Sequence, residues 1–138
     1  MTADDPAKSE TAGSVGVLVI DDQPFFHAAA RAVIEAGDEF RLVGAALSGI
    51  EGVEAADELD PELVLLDVRM PVMDGIETAR RIRDKHAEAV IVLMSVDDIA
   101  SVPSSIVSCG ASAFVRKQDF GRGLLQRLWA VHGRPRAA

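Results

Sequence analysis

The sequence predicts an α/β fold in which a doubly wound, parallel five-stranded sheet carries helices on both faces. Five short runs rich in Val, Ile and Leu recur along the chain, at residues 15–20, 40–47, 63–66, 90–94 and 113–115. These runs are nearly continuous rather than alternating, which is typical of strands buried on both faces of a parallel sheet. Segments with helical apolar spacing separate the runs, so the chain has a regular (βα)5 pattern.

The first three helices are predicted from spacing and from local start signals. The first begins at Pro24 behind a possible Asp22 cap and stops near Gly37, and the second spans residues 49–59. The third opens at Asp74 and places three apolar residues on one stripe, namely Ile76, Ala79 and Ile82. Right-handed crossovers between the strands then favour the flavodoxin-like strand order 2-1-3-4-5.

The last two helices carry weaker signals. The fourth opens at Asp97 and has a 3-4-3 apolar spacing through Ile99, Val102, Ile106 and Cys109. Pro103 lies within its first turns, so we expect it to be the least regular helix. The fifth runs from about residue 118 to residue 132, with four residues predicted to face inward: Phe120, Leu124, Leu128 and Val131.

Length and composition indicate one globular domain. The 138 residues are 49% hydrophobic and 26% charged, which is enough to bury a single core. We expect a flexible leader at residues 1–14, the domain at 15–133 and a short tail at 134–138.

Charge and cysteine usage narrow the classes of partner and compartment. The net charge of -8 argues against direct binding to nucleic acid or to an anionic membrane. Cys109 is the single cysteine, so no internal disulfide can form, and no apolar run approaches the length of a membrane span. These features favour a cytoplasmic protein.

Polar residues follow four of the predicted strands. Strand 1 ends in Asp21 and Asp22, strand 3 in Asp67, strand 4 in Ser95 and strand 5 in Lys117. The carboxyl ends of these strands converge in such a sheet, so we expect the side chains to share one site. Three neighbouring carboxylates repel one another unless a cation lies among them, and a few oxygen ligands with room for water favour Mg²⁺.

The combined set indicates phosphoryl transfer. A metal, a fixed ammonium and a hydroxyl around one carboxylate supply the positioning and charge neutralisation that this chemistry needs, and an aspartate can be its nucleophile. Taken singly, each Asp fits a turn or helix cap, and Lys117 fits a solvated surface charge. Four strand ends with compatible chemistry are hard to explain by loop composition.

Four segments of the chain resemble the CheY-like receiver family of response regulators. They are VLVIDD at 17–22, PELVLLDVRMPVMDG at 61–75, LMS at 93–95 and GASAFVRK at 110–117. DDQPFF at 21–26 and LVGAALSG at 42–49 look most like receivers of the LuxR (NarL-like) class. The resemblance covers the chain from about residue 15 to residue 131.

The resemblance implies a role for each matching residue. Asp67 would accept the phosphoryl group, and Ser95 and Lys117 would contact its oxygens. Phe114 would occupy, with Ser95, the switch positions. Four residues would form the Mg²⁺ site: Asp21 through a metal-bound water, Asp22, Asp67, and Arg69 through its backbone carbonyl.

Three positions depart from the commonest family pattern. Ser95 stands where Thr is commoner and keeps the hydroxyl, whereas Phe114 stands where Tyr is frequent and lacks the phenolic group. Gln118 follows Lys117 where many relatives have a proline after a cis peptide bond. A cis bond before Gln would cost about 2.5 to 4 kcal/mol, so we expect a trans bond and a different local loop.

The implied function is that of a regulatory phosphoacceptor domain rather than an enzyme, with any catalysis limited to its own phosphorylation and dephosphorylation. A sensor histidine kinase or a phosphotransfer protein would be the donor. The output would be a protein partner or a homodimer that uses the surface of the fourth helix, the fifth strand and the fifth helix. LuxR-type relatives usually continue into a DNA-binding domain. Either this chain is a stand-alone regulator that acts by protein contact, which we favour, or it is a truncated receiver.

Several alternatives stay open. A receiver-like interaction module that works without phosphorylation is the main one. An aspartate-nucleophile phosphatase of the haloacid-dehalogenase type would need an acid at position 69, where this chain has Arg69. A dinucleotide-binding protein would need a Gly-rich turn after the first strand. Arg69 and Asp97 either pair over the site and slow self-hydrolysis, or are two solvated charges.

Overall fold

The computed structural model describes residues 14–98 and 104–133. Its centre is one parallel sheet with the strand order β2-β1-β3-β4-β5, which confirms the predicted fold class and order. The strands are β1 (Val15–Ile20), β2 (Phe40–Ala46), β3 (Leu63–Asp67), β4 (Val90–Ser95) and β5 (Ala113–Arg116). Each predicted apolar run therefore forms a strand, with ends displaced by at most one residue.

Four α-helices lie in the described part of the chain. They are α1 (Pro24–Ile34), α2 (Gly49–Leu59), α3 (Gly75–Lys85) and α4 (Arg122–His132). Asp74 caps α3 by accepting a hydrogen bond from the backbone N–H of Glu77, as its position before the apolar stripe predicted. The expected Asp22 cap of α1 is wrong: Pro24 opens the helix, so the capping position is Gln23, whose side chain makes no capping bond.

The fourth predicted helix is not an α-helix where the structure describes it. Residues 99–103 lie outside the described part, and Ser104–Val107 forms a single 3-10 turn. Serine competes for backbone groups, and Ser108 donates to the carbonyl of Ser105 through both its N–H and its hydroxyl. Ile106 and Cys109 are nevertheless buried, so the apolar spacing identified core positions although it misidentified the helix type.

The last helix starts later than predicted. A 3-10 turn at Lys117–Asp119 precedes α4, which begins at Arg122 after Gly121. Leu128 is buried as expected, but Leu125, which was not predicted, is the completely buried residue of this helix. Val131 is 74% exposed, so its predicted inward position is wrong.

The core consists of two apolar layers on opposite faces of the sheet. Successive strand residues point to opposite faces, so each strand contributes to both layers. One layer joins the sheet to α2 and α3 and includes Leu66, Ala56 and Ile82. The other joins it to α1 and α4 and includes Leu65 and Leu125. A rigid sheet covered on both faces fixes the loops at its carboxyl edge.

The expected leader at residues 1–14 and tail at 134–138 lie outside the described residues, apart from Ser14. Within the part of the chain that the structure covers, every helix is too short or too polar to cross a membrane.

Candidate functional site at the carboxyl edge of the sheet

The predicted acids meet at one point above the ends of β1 and β3. Asp21 directly follows β1 and Asp67 is the last residue of β3, and both are buried. Ligand atoms of Asp21, Asp22 and Asp67 all lie within 4.8 Å of one another. In the described residues this is the only group of three His, Cys, Asp or Glu side chains so arranged. The convergence predicted from the strand ends is confirmed.

The loop after β3 is shaped by a close backbone approach at Gly75. A Cβ atom on that residue would lie 2.1 Å from the carbonyl oxygen of Asp67, so no larger residue fits there. The N–H of Gly75 donates to the carbonyl of Val68 at 2.8 Å and closes the loop. The Asp-Gly pair at 74 and 75 therefore both starts α3 and fixes the backbone of Asp67.

Asp21 is held by groups on three sides. Its Oδ1 accepts a hydrogen bond of 2.8 Å from the backbone N–H of Gln23, and its Oδ2 lies 2.6 Å from the Nζ of Lys117. The ring Nε2 of His27 lies 2.7 Å from the backbone carbonyl oxygen of Asp21. Asp21 is thus a fixed, buried charge at the base of the site.

Lys117 projects from the loop after β5 into the acidic group. Its Nζ lies 2.6 Å from Asp21 and 3.5 Å from the Oδ1 of Asp67, and 4.8 Å from the centre of the Phe26 ring. The side chain is only 13% exposed, which rules out the solvated surface charge considered above. None of the described peptide bonds is cis, as expected for the bond before Gln118.

Negative charge outweighs positive charge in this group. Burial, together with repulsion from Asp21 and Asp22, raises the pKa of Asp67 from 3.8 to about 6, although Lys117 opposes the increase. One ammonium therefore does not neutralise three carboxylates, and the group favours an additional cation.

The donor set fits a small hard cation. The three side chains offer only oxygen atoms, which is the chemistry that Mg²⁺ prefers. With metal–oxygen distances of about 2.1 Å, ligands on opposite sides of Mg²⁺ lie about 4 Å apart, so small side-chain adjustments from the observed arrangement would suffice.

Ser95 and a surface ion pair close the opposite side. Ser95 is buried at the end of β4, and its Oγ accepts a hydrogen bond of 3.0 Å from the backbone N–H of Asp97. The Oδ2 of Asp97 lies 2.6 Å from the Nε of Arg69. The two side chains therefore form an ion pair, whereas an effect of the pair on self-hydrolysis stays a prediction.

A cavity of about 660 Å³ opens above these residues, and its outer part is apolar. Its floor includes Asp67, Ser95 and Lys117. Five apolar side chains from α1 and from the segment before α4 line its outer part: Phe25, Phe26, Ala29, Val33 and Phe120. Nothing in the sequence marked this wall, because apolar spacing along a helix does not show which stripe faces the core.

Phe114 lies away from the cavity. It belongs to β5, where it pairs with Leu93, and it is half-buried against the core layer that contains Ile106 and Cys109. The cavity lining, within the described residues, does not include it.

Comparison with known families identifies the fold family. Residues 17–128 match the model of the response regulator receiver domain, which is most of the chain. The chain belongs to this family. The family is a regulatory domain of two-component signalling, in which phosphorylation-dependent signalling is the standard role.

Curated relatives of this receiver domain include the nitrate/nitrite response regulator NarL of Escherichia coli K12. It is 34% identical over 112 residues, which are 81% of this chain and 52% of that protein. The transcriptional regulatory protein YdfI of Bacillus subtilis is 34% identical over 115 residues, covering 83% of this chain and 54% of that one. The receiver domain thus spans about half the length of these relatives.

Solved structures agree with the fold. The receiver domain of the NarL regulator from Mycobacterium tuberculosis superimposes with a TM-score of 0.74 at 28% identity, covering 83% of this chain and 96% of that one. The response regulator domain of Thermotoga maritima CheB gives a TM-score of 0.73 at 27% identity, covering 85% and 95%.

Proposed function

We propose that Asp67 of this receiver domain accepts a phosphoryl group from a sensor histidine kinase or a phosphotransfer protein, with Mg²⁺ held at the same site. The observation that carries the proposal is the meeting of four strand ends in one hollow, where Asp67 lies beside two acids, Ser95 and the Lys117 ammonium. Asp21, Asp22, Asp67 and the backbone carbonyl of Arg69 would hold the ion, Asp21 acting through a bound water.

The transfer is balanced without an external base. A carboxylate oxygen of Asp67 forms a bond to phosphorus while the bond from phosphorus to the donor's histidine nitrogen breaks, and that nitrogen keeps the electron pair. Lys117 and the Ser95 hydroxyl offset the charge on the phosphoryl oxygens. Mg²⁺, when bound, neutralises further charge and orients the phosphoryl group.

The phosphorylated state would then change a surface remote from the site. In the structure Lys117 lies closer to Asp21 than to Asp67, so a new dianion on Asp67 would attract it across the pocket. Ser95 would turn toward the same oxygens, and Phe114 would move into the space released. The surface around β5 and α4 would thereby change its preference for a protein partner or for a second copy of the chain.

Phosphorylation with a small-molecule donor tests the proposal. With acetyl phosphate and Mg²⁺, intact-mass measurement should show one added phosphoryl group on the native protein and none on Asp67→Asn. Asp84→Asn, which changes an exposed acid on α3, is the matched control and should be phosphorylated like the native protein. One equivalent of phosphate on Asp67→Asn would refute the assignment.

Beryllofluoride separates this proposal from a module that works without phosphorylation. The reagent mimics an aspartyl phosphate, so with Mg²⁺ it should raise the melting temperature of the native protein but not of Asp67→Asn. No stabilisation of the native protein would favour the phosphorylation-independent module. The phosphatase alternative is disfavoured because its required acid is replaced by Arg69, which pairs with Asp97.

A further inference from the structure

The cavity above Asp67 has two chemically different ends. Asp67 at its floor is 7% exposed, whereas Phe25 at its rim is 86% exposed. Between them, the rings of Phe26 and Phe120 lie 5.7 Å apart, and Phe26 also faces the Lys117 ammonium. The cavity is thus charged at its base, and toward solvent it combines aromatic rings with the polar side chains of Gln23, Arg69 and Gln118.

The apolar wall is a regular feature of α1. Phe25, Ala29 and Val33 all line the cavity and follow one another at intervals of four residues, which places them on one face of the helix. The neighbouring stripe that contains Ala30 and Ile34 is buried in the core instead. Helix α1 therefore has a second apolar stripe, which lines the cavity, although its last member, Val33, also packs against the core layer.

The direction of phosphoryl transfer connects the two ends. The attacking and leaving oxygens lie roughly in line across the phosphorus atom, so a group displaced by Asp67 points away from it. Because Asp67 lies at the floor of the cavity, the displaced group points toward the rim. Phe25 and the exposed side chain of Val96 lie there. A leaving group with an apolar body would pass along the wall of α1.

We propose that this wall is a leaving-group subsite, and that the receiver domain takes small acyl phosphates with an aromatic acyl group in preference to acetyl phosphate. The proposal rests on the phosphorylation of Asp67 proposed above. An Asp67 oxygen bonds to phosphorus, the bond from phosphorus to the acyl oxygen breaks, and the aromatic carboxylate leaves with the electron pair. The donor is an anion and its acyl part leaves as a carboxylate anion, so the step requires no proton transfer.

The test compares benzoyl phosphate with acetyl phosphate in the presence of Mg²⁺. The second-order rate constant of phosphorylation is measured for each donor from the intact-mass time course, and each is divided by the rate constant of that donor's spontaneous hydrolysis, which breaks the same bond between phosphorus and the acyl oxygen. Partial burial of a phenyl ring should raise the corrected constant for benzoyl phosphate about tenfold over that for acetyl phosphate.

Two variants locate the preference. Phe25→Ala removes the rim ring and should reduce the ratio of the two corrected constants toward one. Because Phe25 is largely exposed, this change leaves the core intact, and a ratio is insensitive to partial loss of folded protein. Val131→Ala removes an exposed apolar side chain of α4 that does not line the cavity, and the ratio should stay at the native value.

Each outcome has a distinct meaning. A native preference that Phe25→Ala removes and Val131→Ala keeps supports the subsite. Equal corrected constants in the native protein, or a preference unchanged in Phe25→Ala, overturn the subsite while phosphorylation by acetyl phosphate leaves the proposed function standing. Failure of both donors to modify Asp67 overturns the proposed function itself and the subsite with it.

Discussion

Charged side chains lie partly or fully buried at both edges of the sheet, but the two edges differ in how many partners these charges have. At the amino edge, the Arg83 guanidinium of α3 donates to five acceptors: the carbonyls of Gly110, His86, Ala87 and Ala89, and the hydroxyl of Ser112. At the carboxyl edge, three carboxylates share a single ammonium, that of Lys117. Each nitrogen of the Arg83 guanidinium has at least one acceptor, which stabilises the fold, whereas the acidic group contains more negative than positive side chains and is suited to bind a cation.

Replacing Arg83 by Met should give the largest loss of stability. Met keeps the apolar stem but leaves the carbonyls of Gly110 and Ala89 without their donor, which should lower the free energy of unfolding by about 2 to 4 kcal/mol. Urea unfolding measures this change. Arg81→Met, which removes an exposed partner of Glu77 on the same helix, should change stability by less than about 0.5 kcal/mol.

If Arg83→Met and the native protein have the same midpoint of urea unfolding, the hydrogen bonds of Arg83 do not stabilise the fold, and the proposed difference between the two edges is wrong. The folded variant should still be phosphorylated on Asp67 at the native rate, because the change lies at the other end of the strands.

Replacing Asp67 by Asn should stabilise the protein in the absence of Mg²⁺. The pKa of Asp67 is about 6 in the fold against its ordinary value of 3.8, so the folded state retains the proton longer, and the contribution of Asp67 to stability falls as pH rises from about 4 to 6. The full shift corresponds to about 3 kcal/mol, which is an upper limit for the gain of Asp67→Asn above pH 6. Unfolding at a series of pH values, without divalent ions, measures it.

The exposed Asp84→Asn variant should show no comparable gain over that pH range. Added Mg²⁺ should make the native protein more stable than Asp67→Asn, because an ion that binds only the folded state stabilises it by mass action. A difference in stability between the native protein and Asp67→Asn that stays constant from pH 4 to pH 7 would contradict the assigned burial and repulsion at Asp67.

The strands and the acidic group could be predicted because their signals are local in sequence. A continuous apolar run ends at a polar residue, and the order of a doubly wound sheet then places Asp21, Asp67 and Ser95 at one edge. At residues 104–107 the helix type was predicted wrongly because the apolar spacing fits an α-helix, whereas the Ser108 hydroxyl bonds to the local backbone instead.

Three other features of the structure could not be predicted from the sequence. The acceptors of Arg83 are mostly backbone carbonyls, which every residue carries, so no residue type marks them. Val72 has φ 70° and is 98% exposed, and a β-branched residue gives no warning of a left-handed backbone. The apolar wall under Phe25 belongs to a helix with two apolar stripes, and the sequence does not say which of them faces the core.

The ion pair between Arg69 and Asp97 should have the smallest effect, because it lies on the exposed rim of the site. Breaking it with Arg69→Ala should change stability by less than about 1 kcal/mol, as for other surface pairs. If the pair shields an aspartyl phosphate from water, the variant should lose its phosphoryl group about threefold faster, a barrier change below 1 kcal/mol. The rate is measured by intact mass after removal of the donor. As the control, Arg80→Ala breaks a surface ion pair with Glu77 that lies outside the cavity lining, and it should keep the native rate. An unchanged rate in Arg69→Ala as well would mean that the pair of Arg69 and Asp97 does not shield the phosphoryl group from water.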